Sequence, residues 1–303
     1  MNDFKVFASC HNHSTFSDGE WTPEHLARVA KCMGHGGIIL TDHDTVRGYP
    51  RMKAACERYG LLTMSGCEFS TADVMRDGTL RGSHLLGFGF DTENPEMREL
   101  LAFTSSVQTE RTKLMFTWGQ ERGTLRRGIS WEDVLADHPE HDYICNNEVF
   151  ASFLKRGIYL YAEYETEFQK PNFSYGLGLE DEIHRITGKS YNDVKTSEVI
   201  SIIKKAGGVP VLAHPSNKVP YTEDYLAMGV MGFETRHSML DTELREYFER
   251  VCDEHGLYKM GGADHENVLG GLLSFDNDEY VSSYEQSGID ENDFMAIYER
   301  KLG

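Results

Sequence analysis

Two histidines spaced by one residue, His11 and His13, close the apolar run FKVFASC at residues 4–10. On a strand, residues i and i+2 point to the same face, so both imidazoles can serve one metal ion. Asp18 follows in the adjoining loop, HNHSTFSDG (11–19), close enough to add a carboxylate. Other apolar runs end the same way. The run at 37–40 leads into Thr41-Asp42-His43-Asp44, and the run at 61–68 finishes in Cys67-Glu68. VPVLAH finishes in His214, with Pro215 as its stop. MGFETR leads through Glu234 and Arg236 to His237, and YKMGGA delivers Asp264, His265 and Glu266. Apolar strands fold without a terminal His or Asp, so this recurrence points to one shared site. Imidazole and carboxylate, without thiolate, suit zinc, manganese and iron(II). A cluster of such ions generates hydroxide near neutral pH and neutralises charge building on a phosphoryl group. Lys218, just past His214, and Arg236 with His237 are candidate phosphate clamps, since a guanidinium suits bidentate phosphate contacts. The alternative for Lys218 is a solvated loop charge. Asp42 and Asp44 either cap the following helix or orient a ligand by hydrogen bonding. His25, His35, His138, His141, His184 and His255 lie on expected helices or loops and receive no role.

The elements that must carry these residues alternate. Strands are expected at 4–10, 37–40, 61–68, 83–90, 209–214, 231–236 and 258–263. Helices are expected at 23–32, opened by Thr22 and Pro23, and at 49–59, 197–205, 241–255 and 291–302. Such alternation predicts parallel βαβ units. In parallel α/β barrels the active-site residues gather at the C-terminal strand ends, and that placement favours a barrel over an open doubly wound sheet. The stretch 104–192 reads instead as helical and charge-rich, an inserted cap. The expected division is residues 1–103 plus 193–303 for the barrel and 104–192 for the cap.

The bulk properties bound the partners. The chain has 303 residues, 40% of them hydrophobic, and a formal net charge of −19, which disfavours duplex nucleic acid as a partner. A small anionic substrate is compatible with it, because bound cations invert the local field. No apolar run reaches the roughly 18 residues of a membrane span, and the first ten residues lack the features of a signal peptide. A cytoplasmic protein with no membrane partner is therefore expected. The six cysteines form no CxxC pair and are read as reduced core thiols.

Six stretches together resemble the polymerase-and-histidinol-phosphatase (PHP) family, and within it the small phosphoesterase branch. They are HNHSTFSDG (11–19), LTDHDTVRGY (40–49), SGCEFS (65–70), SHLLGFGFD (83–91), AGGVPVLAHP (206–215) and MGGADHE (260–266). The resemblance implies a distorted (β/α)7 barrel with a mostly helical inserted cap. It also implies two or three divalent ions (Mn, Fe or Zn) acting on a small phosphorylated substrate. By position, His11, His13, Glu68 and Asp264 hold the first ion, and Asp18 and His43 the second. Glu68 bridges to a third with His84 and His214. His84 enters through the family pattern alone, since it opens its expected strand. Two stretches depart from the family. Its last motif ends Asp-x-His, whereas this chain reads Asp264-His265-Glu266. Strand alternation favours Glu266 for the second ion, and His265 only through a twist or bulge. The cap stretch CNNEVFASFLKRG (145–157) also lacks the Arg and His that this branch carries there.

The function expected is hydrolysis of a phosphomonoester, a nucleoside phosphate or similar ester, by metal-activated hydroxide. Three other readings compete. A C–N hydrolase of amidohydrolase type needs a bridging lysine, where this chain has Glu68. The other two are a metal-bound domain without catalysis and an exonuclease acting on short oligonucleotides.

Overall fold

The computed structural model describes residues 5–19, 21–139, 141–173, 180–264 and 287–302. Strand β1 (Ala8–Ser9) runs into the first histidine pair. Thr22, whose side chain accepts the His25 N–H, and Pro23 in the first turn start helix α1 (Pro23–Cys32). Leu26, Ala27, Val29 and Ala30 form its buried face, at the 3–4 residue spacing of one helix stripe. β2 (Gly37–Ile38) follows and pairs parallel with β1. α2 (Tyr49–Tyr59) ends on Gly60, whose φ of 66° supplies the left-handed C-cap.

A five-stranded sheet in the order β3-β4-β5-β6-β7 holds β3 (Gly66–Val74), β4 (Leu80–Phe88), β5 (Val209–Leu212), β6 (Gly232–Arg236) and β7 (Tyr258–Gly261). The β3–β4 and β4–β5 pairs are antiparallel, and β5–β6 and β6–β7 are parallel. Hydrogen bonds cross from both edges of this sheet to the β1–β2 pair. On one side Ile38 N–H donates to Leu62 O (3.0 Å) and Asp44 N–H to Glu68 O (2.9 Å). On the other, Cys10 N–H donates to Gly261 O (3.0 Å) and Asp264 N–H to His11 O (2.9 Å).

The α/β class agrees with the sequence, but two strands sit elsewhere. The strand expected at 61–68 is β3 at 66–74, and the one expected at 83–90 is β4 at 80–88. They form a tight hairpin turning at Asp77-Gly78, where Gly78 has φ 82°. The outer halves of these strands are polar and partly exposed, so they lack the apolar run that marked the other strands. Asp-Gly between two strand-like segments was the signal available. In consequence Glu68 stands near the start of its strand and His84 in the middle of its own, neither at an end.

Between β4 and β5 run α3 (Pro95–Arg122), α4 (Trp131–Asp137), α5 (Asn146–Lys155), the short α6 (Lys170–Asn172) and α7 (Glu180–Thr187), with 3-10 and π turns between them. Position 104 falls inside α3. The first half of α3, with Met97 and Leu101, joins the cluster under β3, β4 and α8 (Thr196–Lys205). Phe116 in its second half joins a separate apolar cluster with Trp131, Val149, Phe150, Phe153, Tyr159 and Phe168. After β5 come α9 (Thr222–Met228), α10 (Thr242–His255) and α11 (Glu291–Leu302). Phe248 of α10 stacks on Phe233 of β6 with centroids 5.3 Å apart, a ring pair that contributes roughly 0.5–1.5 kcal/mol beyond the burial of the two side chains. Phe294 of α11 packs among Ala8, Ile39 and Met260. Among the described residues no helix is long and apolar enough to cross a membrane.

His35 follows α1 and is 5% exposed. Burial alone pushes its pKa down to about 4. The native state keeps it neutral, while the unfolded chain protonates it near 6.5. Between those values the unfolded state binds more protons, so stability falls as pH drops through this window. A His35→Phe variant is expected to gain relative to wild type as pH falls from about 6.5 toward 4. Urea midpoints of both proteins across that range check it.

Candidate metal centre

Glu68 is fully buried, and five imidazoles surround its carboxylate. Its Oε2 lies 3.0 Å from His11 Nε2, 3.1 Å from His13 Nε2 and 3.3 Å from His43 Nδ1. Its Oε1 lies 3.0 Å from His84 Nδ1 and 3.1 Å from His214 Nε2. Asp264 Oδ1 is 3.3 Å from His11 Nε2 and 3.2 Å from His13 Nε2. Asp18 reaches from its loop with Oδ1 3.3 Å from His13 Nδ1 and Oδ2 3.5 Å from His43 Nε2.

Three of these buried atoms, Glu68 Oε2, His43 Nδ1 and Asp264 Oδ1, make no hydrogen bond among the described residues. A buried polar atom left so costs about 1–3 kcal/mol, and its persistence needs a reason. Donor atoms held 2.0–2.2 Å from one ion lie roughly 3.0–3.5 Å from each other, which is the spacing seen here. The donors His11, His13, Glu68 and Asp264 all converge within 4.8 Å, as do His13, Asp18 and His43, and likewise His43, Glu68 and His84. The residues therefore fit divalent ions.

Local structure holds this geometry. Asp42 caps no helix. It accepts Ser14 N–H (2.6 Å), Ser14 Oγ–H (2.8 Å) and Ser17 Oγ–H (2.9 Å), which ties down the loop from His13 to Asp18. Asn12 points away from the histidines and donates to Ser9 O and Ile39 O, locking β1 to β2. Gly262 lets β7 approach β1, since a Cβ there would lie 2.2 Å from His11 N. Asp44, His214 and Asp264 are the described non-glycine residues with positive φ, at 53°, 26° and 50°. Such backbone costs on the order of 1–3 kcal/mol per residue and gathers at functional sites.

The charges are mutually dependent. Burial alone would lower the pKa of His11, but Asp264, Glu68 and Glu234 raise it well above 6.5. Burial is likewise overcome at His13 by Asp18, Asp264 and Glu68. Burial would raise the Glu68 carboxyl, and His11, His43 and His84 hold it well below its ordinary value. His43 is driven the other way, its pKa depressed chiefly by burial, so it stands neutral with a lone pair to offer.

The structure brings His11, His13, Asp18, His43, Glu68, His84, His214 and Asp264 to one place. Glu266 and His265 lie outside the described residues. Lys218 stands on the wall of a cleft of about 500 Å³ that opens over Asp18, His43, His84 and His214. Its Nζ donates to Gly82 O, and burial beside Arg81 lowers its pKa. Arg236 is not brought to the cleft. A register shift between Glu234 and Arg236 breaks the strand alternation, and the guanidinium pairs with Glu249 of α10 at 3.2 Å. His237 is brought to the cluster, but it is 1% exposed and faces Asp264 at 3.0 Å rather than the cleft. Sequence reasoning left Glu234 without a role. It is fully buried and touches His11 and the His214 backbone. It also passed over Arg111 of α3, which lines the cleft with Gln108 and Tyr143. The six histidines given no role sit outside the cluster.

Comparison with known proteins places this arrangement. Residues 9–184 match the PHP domain. The chain belongs to the PHP domain family. A 5′-3′ exoribonuclease of Haemophilus influenzae is 26% identical over 90% of this chain and 94% of its own length. A 3′,5′-nucleoside bisphosphate phosphatase of Chromobacterium violaceum is 25% identical over 84% of this chain and 85% of its own. A crystal structure described as a candidate metal-dependent phosphoesterase, from Bifidobacterium adolescentis, superposes with a TM-score of 0.72 at 26% identity. It covers 97% of this chain and 96% of that one.

Proposed function

We propose that this PHP protein is a metal-dependent phosphoester hydrolase acting on small phosphomonoesters of the nucleoside phosphate class. The observation that carries the reading is the convergence of five imidazoles on Glu68, with Asp264 beside two of them, in which the buried atoms Glu68 Oε2, His43 Nδ1 and Asp264 Oδ1 make no hydrogen bond among the described residues. PHP membership and relatives acting on phosphate esters support the reaction class.

Two or three divalent ions, Mn, Fe or Zn, fit this donor set. His11, His13, Glu68 and Asp264 would hold one. Asp18 and His43 would hold a second, and Glu68 with His84 and His214 a third. Such ions supply Lewis acidity toward a phosphoryl oxygen and a nucleophile at neutral pH. The protein's own groups do the rest. Lys218 and Arg111 stand on the cleft wall and offer N–H donors to phosphate oxygens. Glu68, Asp18 and Asp264 would balance the positive charge of such ions. The segment 104–192 acts as a cap, contributing Gln108, Arg111, Tyr143, Asn146 and Tyr191 to that wall, and its separate apolar cluster supports this division. The hydrogen bonds at both sheet edges support closure into a distorted seven-stranded barrel.

A second reading, trimming of short oligoribonucleotides, is favoured by the exoribonuclease relative that matches over nearly its full length. Phosphate release from nucleoside 5′- and 3′-phosphates, 3′,5′-bisphosphates and histidinol phosphate, together with mononucleotide release from short oligoribonucleotides, separates the two. The assay uses protein loaded with manganese. Preferred turnover of a mononucleotide carries the first reading, and preferred stepwise shortening of oligomers replaces it with the second. No hydrolysis of any of them by metal-loaded protein would sink both.

A further inference from the structure

Substrate contacts are expected of Arg236 and His237, yet Glu234 of β6 and His237 just after the strand turn inward and touch the metal donors. Strand alternation from Glu234 would send Arg236 inward. The register shift after Glu234 sends Arg236 out to Glu249 and brings His237 in. Glu234 is then shared. Its Oε1 lies 3.1 Å from His11 Nδ1, and its Oε2 accepts the His214 N–H at 2.6 Å. A hydrogen on His11 Nδ1 leaves Nε2 as the lone pair facing Glu68 and His13. The contact to His214 holds a residue whose φ is 26°, a backbone that an L-residue keeps only when its surroundings dictate it.

His237 shows the same logic through its tautomer. Met239 N–H donates to His237 Nδ1 at 3.1 Å, so that nitrogen is an acceptor. The ring proton therefore sits on Nε2, which donates to Asp264 Oδ2 at 3.0 Å. Asp264 Oδ2 is occupied, and Oδ1, the atom without a hydrogen bond, is turned toward His11 and His13. Neither Glu234 nor His237 lines the cleft, so neither is placed to bind substrate.

We propose that Glu234 and His237 are positioning residues of the metal centre. Glu234 orients His11 and the His214 backbone, and His237 selects which Asp264 oxygen faces the ion. This rests on the metal-centre reading above. Outer partners of this kind typically control metal affinity by about 10- to 100-fold.

The test uses the full chain, stripped of metal, with manganese alone as the probe. Equilibrium dialysis gives the manganese Kd of wild type, Glu234→Gln, His237→Phe and His237→Gln, and thermal melts of the metal-free proteins report folding. Glu234→Gln and His237→Phe are expected to weaken binding by about 10- to 100-fold while the metal-free melts stay near wild type. His237→Gln is expected to stay within a few-fold of wild type, because its amide N–H replaces the Nε2 donor. Ring ¹⁵N spectra of the metal-free wild type are expected to show His237 protonated on Nε2 only, a signature that needs no variant to fold. Wild-type-like affinity in both Glu234→Gln and His237→Phe would overturn the proposal, as would a His237 proton on Nδ1. Wild type that binds no manganese would instead overturn the metal centre itself, an outcome readable apart from the variants.

Discussion

Replacing Glu68 by glutamine is expected to lower kcat/KM by about a thousandfold or more. An ion at such a site supplies several kcal/mol of transition-state stabilisation, and each 1.36 kcal/mol is roughly tenfold in rate. No other side chain substitutes for it, because its two oxygens divide five imidazoles between them: Oε2 faces His11, His13 and His43, and Oε1 faces His84 and His214. Glutamine keeps the shape but removes the charge and turns an N–H₂ toward one of these groups. Steady-state kinetics with metal analysis on the same sample check it. A variant that keeps wild-type kcat/KM and metal content would remove Glu68 from the centre. Unchanged far-UV circular dichroism separates loss of the site from loss of the fold.

Stripping divalent ions with a chelator is expected to abolish turnover, and adding manganese to restore it. The stabilisation by manganese should also grow with pH, and the sign follows from the charges of the metal-free protein. His11 and His13 have pKa values raised above 6.5 by Asp264, Glu68, Asp18 and their neighbours, against the opposing effect of burial. Their contribution to metal-free stability is fully present below 6.5 and is lost as pH rises through the raised values. Glu68 and Asp264 are held below their ordinary values by His11 and the surrounding imidazoles, again against burial. Their contribution is present above those ordinary values and is lost as pH falls through the depressed ones. The metal-free cluster thus stabilises best between about pH 5 and 6.5. An ion must displace the protons on His11 and His13, so its affinity tightens by up to about tenfold per proton per pH unit as pH rises. Melting temperatures with and without manganese, from pH 5.5 to 8, should diverge steadily. A gap that stays constant across that range would show that these two histidines release no protons to the ion.

The manner in which ligand residues were found in the sequence explains which others were missed. His11 and His13 announced themselves by i, i+2 spacing after an apolar run, and His43, His214 and Asp264 by following such runs. Glu68 was picked for a strand end that the structure does not have, since β3 continues six residues beyond it. The choice succeeded because the polar part of the β3–β4 hairpin begins near Glu68, so the apolar run stops there in sequence while the strand goes on in space. His84 lies mid-strand opposite Ser70, a position with no local mark, and only the family pattern picked it out. In sequence Arg236 and His237 read together as clamps, and one bulge separates them: the arginine goes to α10 and the histidine to Asp264.

The amino-acid sequence by itself determined the α/β class, the helix start at Thr22-Pro23, and a donor set of histidines and carboxylates suited to divalent ions. These are properties of residue type and short-range spacing. Tertiary structure alone decided that Glu68 divides its oxygens among five imidazoles, that Glu234 joins His11 to His214, and that His237 turns Asp264. Each of these contacts joins residues far apart in the chain, and His11 and Glu234 are 223 positions apart. No local period encodes such a distance. It is set by how the strands pair and by the bulge in β6, and both of these depend on packing across the whole domain.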